Sequence, residues 1–114
     1  MKTITDIIHY LIEKWYDEEN LDPFHINCGS CEEFMLDVIE MSKDVLGLSL
    51  DEGATPWENG EGEYDNYPGH YWVEYEGKCY DSECADGVDD WKELPIFKKY
   101  RFMIKNKDLI TFPT

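Results

Sequence analysis

Residues 70–83, HYWVEYEGKCYDSE, constrain the fold of this chain more than any other stretch. Two runs rich in aromatic and β-branched residues, about 70–75 and 78–83, flank Glu76-Gly77, and this pattern predicts a tight β-hairpin. If the loop is those two residues, Tyr75 faces Lys78, Trp72 faces Asp81 and His70 faces Glu83. Directly opposed side chains share a sheet face, so His70, Trp72, Asp81 and Glu83 should point the same way. Asp81 then lies diagonal to His70, within hydrogen-bonding reach. A loop one residue longer would turn Asp81 to the far face.

The segment NCGSCEEFM, residues 27–35, holds two of the four cysteines. Ser30 and Glu33 form a capping-box pattern that predicts a helix start. Cys31, Phe34, Met35, Val38, Ser42 and Val45 then share one face, and Gly47 is placed to end the helix. Cys31 falls in the first turn, on the inward side, while Cys28 precedes the helix. With that inward face laid over the hairpin face of His70, the thiol meets the imidazole. A free thiol near its reference pKa of ~8.5 is only a few per cent thiolate at neutral pH. Glu32 and Glu33, at about 8 Å in water, oppose ionisation by roughly 0.5 kcal/mol each. An imidazolium at about 4 Å favours it by about 4 kcal/mol at an effective dielectric of 20, so the local pair dominates. Asp81 would orient the ring and hold its tautomer.

Elsewhere, Ile4, Ile7, Ile8, Leu11 and Trp15 recur at helical spacing and predict a first amphipathic helix over about 4–17. Residues 20–29 read as a loop, punctuated by Pro23 and Gly29. Residues 48–69 form a long acidic, glycine-containing segment with Trp57, Tyr64 and Tyr67, read as a solvated loop or lid without the spacing of an EF-hand. Residues 86–99 read as a loop with a short helical turn ending before Pro95. YRFMIK and LITF, near the C-terminal end, read as two further short strands.

The 114 residues carry 26 acids against 10 bases, a formal charge of −16. That surface repels nucleic-acid phosphates and anionic lipid, and suits a basic partner or an acidic phosphate mimic. Hydrophobic content of 42% with 15% aromatics argues for a packed core and one domain over residues 1–114. No apolar run is long enough to span a membrane and no targeting signal is evident, so the expected compartment is the cytoplasm, with reduced thiols.

At these same residues the chain resembles the transglutaminase-like proteins, within the wider papain-like cysteine-protease superfamily. GSCEEFM is similar to the G-x-C-x-x-F-A nucleophile motif, and GHYWVEYEGKCYDSE to the segment carrying a His on one strand and an Asp on the next. The resemblance covers roughly residues 27–37 and 69–83 and includes small phage and bacterial proteins. It implies an α+β fold, N-terminal helices packed on a small antiparallel β-sheet in papain-like/transglutaminase-like topology. It implies a peptide or protein substrate and no cofactor, with Cys31 as nucleophile, His70 as general base and acid, and Asp81 as the orienting residue. Met35 stands where the family has a small residue, and the His-to-Asp interval is short. The upstream Gln that completes the oxyanion hole is not evident; His25 or Asn27 can take its place, with Glu83 as further support. Trp72 reads as core or substrate wall, and Trp57 as a second wall. Three alternatives stand beside this reading. One is a non-catalytic acidic binding or inhibitor protein on the same fold, and another a structural zinc module using Cys28, Cys31, Cys79 and Cys84. The third, a thioredoxin-like dithiol, lacks a strand leading into the cysteine pair.

Overall fold

A computed structural model describes residues 2–47, 55–59 and 69–99. Helices α1 (Ile4–Glu19), α2 (Pro23–Gly29) and α3 (Cys31–Leu46) precede strands β1 (Thr55–Asn59), β2 (His70–Tyr75), β3 (Lys78–Asp81) and β4 (Cys84–Val88). A 3₁₀ turn at Trp91–Glu93 and helical residues 95–99 follow. The strands form one antiparallel sheet in the order β1-β2-β3-β4. The protein is therefore α+β, with its helices first and its sheet after. The expected strands in YRFMIK and LITF, and Tyr64 and Tyr67, lie outside the described residues.

Local chemistry sets the helix ends. Thr3 Oγ1 accepts from the Asp6 N–H at 3.1 Å while Asp6 Oδ2 accepts from the Thr3 N–H at 3.2 Å, a complete capping box. Asn20, left-handed at φ 55°, closes α1, and its N–H donates to Tyr16 O. Gly47, at φ 64°, closes α3 as expected.

The segment expected to be a loop around Pro23 is helical. Asp22 caps it, and Pro23 occupies its first turn, where a missing N–H costs nothing. Two further strands were not expected. β1 lies inside the acidic segment, paired with β2 through Trp57↔Trp72 and Asn59↔His70. β4 lies within the region read as loop, and Pro95 begins the next helical turn instead of following one.

The hairpin register is the expected one: Tyr75↔Lys78, Glu74↔Cys79 and Val73↔Tyr80. Its turn has positive φ at both Glu76 (49°) and Gly77 (78°), the type I′ geometry that matches strand twist. β3 stops at Asp81, however, and Ser82-Glu83 turn the chain into β4, so Glu83 does not stand opposite His70 on the ladder. The cause is local. Asp81 Oδ1 accepts the Glu83 N–H at 2.9 Å, an Asx turn that ends the strand.

The sheet separates two cores. On one face Val73 and Tyr80 meet Ile4, Ile7, Ile8 and Leu11 of α1 and Phe34, Met35 and Val38 of α3. On the other, Trp72 and Cys79 pack with Leu94, Ile96 and Phe97. Burying each large apolar side chain contributes about 1.5–3 kcal/mol. Gly87 in β4 is required by the first core: at φ 79°, a Cβ there would sit 2.6 Å from the Tyr80 ring. Val45, expected on the inward face of α3, is exposed.

Candidate active site

α2 and α3 meet at Ser30, which ends one helix and begins the other. Its N–H donates to Ile26 O at 2.8 Å, and its carbonyl accepts the Phe34 N–H at 3.0 Å. Cys31 is thereby the first residue of α3. The expected capping box does not form, since the Ser30 side chain makes no cap bond. The first-turn N–H groups remain available to another acceptor. The backbone N–H groups of Glu32 and of Tyr71, near the start of β2, both favour the Cys31 anion.

His70 opens β2 and is 1% exposed. Its Nε2–H donates to Asp81 Oδ2 at 3.0 Å, and both side chains are shielded from water. Asp81 is itself fixed by the Glu83 N–H. The imidazole lies edge-on to Phe97 at 5.5 Å and stacked on Trp72 at 6.3 Å. Nδ1 is buried, with no hydrogen-bond partner among the described residues. Cys31 is the thiol close enough to act on the ring, each group favouring the charged form of the other.

This meeting occurs by a different route from the one the sequence suggested. α3 does not lie over the face of His70 and Trp72; it packs on the opposite face, against Val73 and Tyr80. Cys31 reaches the imidazole because the N-terminus of α3 comes to the end of the sheet where His70, the first residue of β2, is placed.

The electrostatics of the pair are mutual. Burial opposes ionisation of Cys31, but the adjacent His70 outweighs it and brings the thiol below its ordinary range. Burial also opposes charging His70, yet the hydrogen bond to Asp81 and the nearby Asp81 and Cys31 charges raise its pKa to about 9. Together these shifts favour a thiolate–imidazolium pair. The other three thiols move the opposite way: burial raises Cys28, Cys84 and, to about 11, Cys79. An anionic sulfur beside a proton-bearing imidazole can attack an electrophilic carbon and return a proton to the leaving group.

The supporting residues divide. Asn27 is buried beside Cys31 and Asp81. Its Nδ2 donates to Glu83 Oε1 at 3.0 Å, and its Oδ1 accepts from Ser82 Oγ at 3.0 Å. Ser82 Oγ also lies 2.7 Å from Pro23 O, so its single proton is shared between the two acceptors. These bonds tie the helix leading into Cys31 to the turn that fixes Asp81. Glu83 pairs in addition with Lys99, so its contacts run to Asn27 and Lys99 and not to the imidazole. His25 is exposed at the first turn of α2, bonded to Asp22 at 2.8 Å. Trp72 is core: it stacks on Trp91 at 5.4 Å, interplanar angle 13°. Trp57 is exposed opposite it on β1. Among the described residues, no group of three or more His, Cys, Asp or Glu is arranged to hold a metal ion.

Phe97 and Tyr71 belong to the site and were not foreseen. Phe97 closes the imidazole from the helical turn after Pro95, and the signal for it was the apolar pair Ile96-Phe97 directly after a proline able to begin a helix. The Tyr71 hydroxyl lies between the carboxylates of Glu32 and Glu58, whose hydrogen bonds and charges push its pKa upward. No short-range pattern announces that contact, because it needs the unexpected β1.

No protein-family model matches the chain, and no curated protein or solved structure matches it either.

Proposed function

We propose that the protein is a cysteine hydrolase or acyltransferase, with transglutaminase-like, papain-like topology and family membership. Cys31 attacks an amide or ester carbonyl, and the His70 imidazolium gives its proton to the leaving amine or alcohol. The resulting thioester is released by water, or by an amine, which His70 deprotonates. Asp81 keeps Nε2 occupied, so that Nδ1 is the nitrogen that serves the sulfur. The observation that carries this reading is the buried His70–Asp81 bond of 3.0 Å beside a thiol whose anion is favoured. A structural cysteine in an apolar core is pushed towards the neutral form, as Cys79 is.

The expected substrate is a peptide or protein carbonyl, and the expected compartment the cytoplasm, or the host's if the chain is phage-encoded. Among the described residues no helix is long and apolar enough to cross a membrane.

The test is acyl-enzyme capture. Native protein mixed with p-nitrophenyl acetate should release nitrophenol in a burst of one equivalent and carry acetyl on Cys31. Cys31→Ala should abolish the burst. A wild-type protein with intact circular dichroism and no burst would instead favour the non-catalytic acidic binding protein.

A further inference from the structure

We propose that Cys28 is a resolving thiol: oxidation of Cys31 by a hydroperoxide closes a Cys28–Cys31 disulfide that reversibly removes the nucleophile. This rests on Cys31 being the reactive thiol of the proposed site.

The geometry comes from the α2–α3 junction. Cys28 lies in the last turn of α2 and Cys31 is the first residue of α3. Gly29 is the last residue of α2, and Ser30, at φ −124° and ψ 18°, stands near the third position of a type I turn, so the chain turns between the two cysteines. Such a turn holds its first and fourth Cα atoms within about 7 Å of each other. A disulfide accepts Cα separations of about 4.4–6.8 Å. It also requires Cβ atoms roughly 3.5–4.5 Å apart, so closure needs an adjustment of the turn to that spacing. The two residues between can supply it. Ser30, at φ −124° and ψ 18°, has already left the helical conformation. A side chain at Gly29 would meet nothing within 4 Å, so no neighbouring group packs against that side of the turn.

Access and chemistry agree with this pairing. Cys28 and Cys31 are both partly exposed, whereas Cys79 is buried against Trp72 on the other face of the sheet. Cys84 stands opposite Asp81 on β4 and packs on that same face. The two roles also separate: His70 favours the Cys31 anion, while burial and Glu83 hold the Cys28 proton.

The steps balance. The Cys31 thiolate attacks the distal peroxide oxygen and the O–O bond breaks. The sulfur loses two electrons to become a sulfenic acid, and the departing alkoxide, or hydroxide from hydrogen peroxide, takes the His70 proton and leaves as alcohol or water. Cys28 then attacks the Cys31 sulfur, forming the S–S bond and breaking S–O. The Cys28 thiol proton passes through His70 to the departing hydroxide, which leaves as water.

The experiment treats the reduced native chain with graded hydrogen peroxide, quenches it with N-ethylmaleimide in acid, and maps the tryptic peptide 15–43, which holds Cys28 and Cys31 and no other cysteine. The expected peptide carries no maleimide, has lost two hydrogens, and regains two thiols with dithiothreitol. In Cys28→Ser the same dose should leave a sulfenic acid on Cys31 that dimedone traps. Sulfinic acid on Cys31 beside an alkylated Cys28, or a bond from Cys31 to Cys79 or Cys84, would overturn the proposal. Iodoacetamide labelling of the untreated protein separates the two claims. Fast labelling of Cys31 without disulfide formation rejects the disulfide and leaves the acyl-transfer reading. A disulfide without acyl-enzyme capture supports the disulfide and counts against acyl transfer.

Discussion

Replacing Asp81 with Asn isolates the part of the site that charges His70. In the native protein Asp81 accepts two hydrogen bonds, from His70 Nε2–H at 3.0 Å and from the Glu83 N–H at 2.9 Å. An amide has one oxygen, so Asp81→Asn cannot keep both without opposing two donors. It also loses the charge. At about 4 Å and an effective dielectric of 20, the lost attraction is on the order of 4 kcal/mol, and a neutral hydrogen bond retains part of it. A net loss of about 2–3 kcal/mol corresponds to roughly two pH units. His70 should then titrate at about 7, close to its ordinary 6.5, and above that pH the Cys31 thiolate should lose its cation. Histidine NMR titration reads the first effect, and the iodoacetamide rate at pH 8, mapped to Cys31, reads the second. The rate should fall by at least about tenfold, since each 1.4 kcal/mol is a factor of ten. Glu83→Gln is the control, because Glu83 contacts Asn27 and Lys99. A larger loss in Glu83→Gln than in Asp81→Asn would refute the assignment, as would an unchanged His70 titration in Asp81→Asn.

Three further outcomes follow from the geometry. Glu76→Asn should raise stability by about 0.5–1 kcal/mol in urea denaturation, because Asn tolerates the left-handed conformation held there at φ 49° better than Glu does. Gly87→Ala should cost on the order of 2–3 kcal/mol, since the new methyl meets the Tyr80 ring at 2.6 Å and φ is 79°; an unchanged urea midpoint would contradict that contact. The pH dependence of stability should differ between wild type and Cys31→Ser. His70, raised from 6.5 to about 9, contributes stability that is complete below pH 6.5 and lost as pH rises through 9. Cys31, lowered, contributes in the opposite sense, its share being lost as pH falls. In wild type the two oppose each other. Cys31→Ser removes the opposing contribution, and His70, still held by Asp81, keeps a raised pKa though one lower than in wild type, so the urea midpoint should fall more steeply as pH rises above 6.5. A slope equal to that of wild type would show that the two groups do not share a proton equilibrium.

The parts of this molecule legible in its sequence are those governed by short-range chemistry. Glu76-Gly77 announces the hairpin and its register, which places Asp81 on the face of His70. Helical periodicity announces α1 and the buried stripe of α3. What was misread depends on contacts distant in sequence or on a residue with two meanings. Pro23 can break a helix or begin one, and only the Asp22 cap bond to the His25 N–H, 2.9 Å, decides it. β1 is short, acidic and exposed, and it is a strand because β2 offers it partners. Glu83 belongs to the turn because Asp81 captures its N–H, a side-chain bond that strand alternation cannot foresee. The face on which α3 packs was also misassigned. Cys31, His70 and Asp81 nonetheless come together, because both Cys31 and His70 are the first residues of their elements and meet at the end of the sheet.

The most direct test of the Cys31–His70–Asp81 assignment is the order of thiol reactivity. Native protein treated near pH 6 with less iodoacetamide than total thiol should carry the label on Cys31, the one cysteine of the four whose anion the surroundings favour. Preferential labelling of Cys28, Cys79 or Cys84 would contradict it.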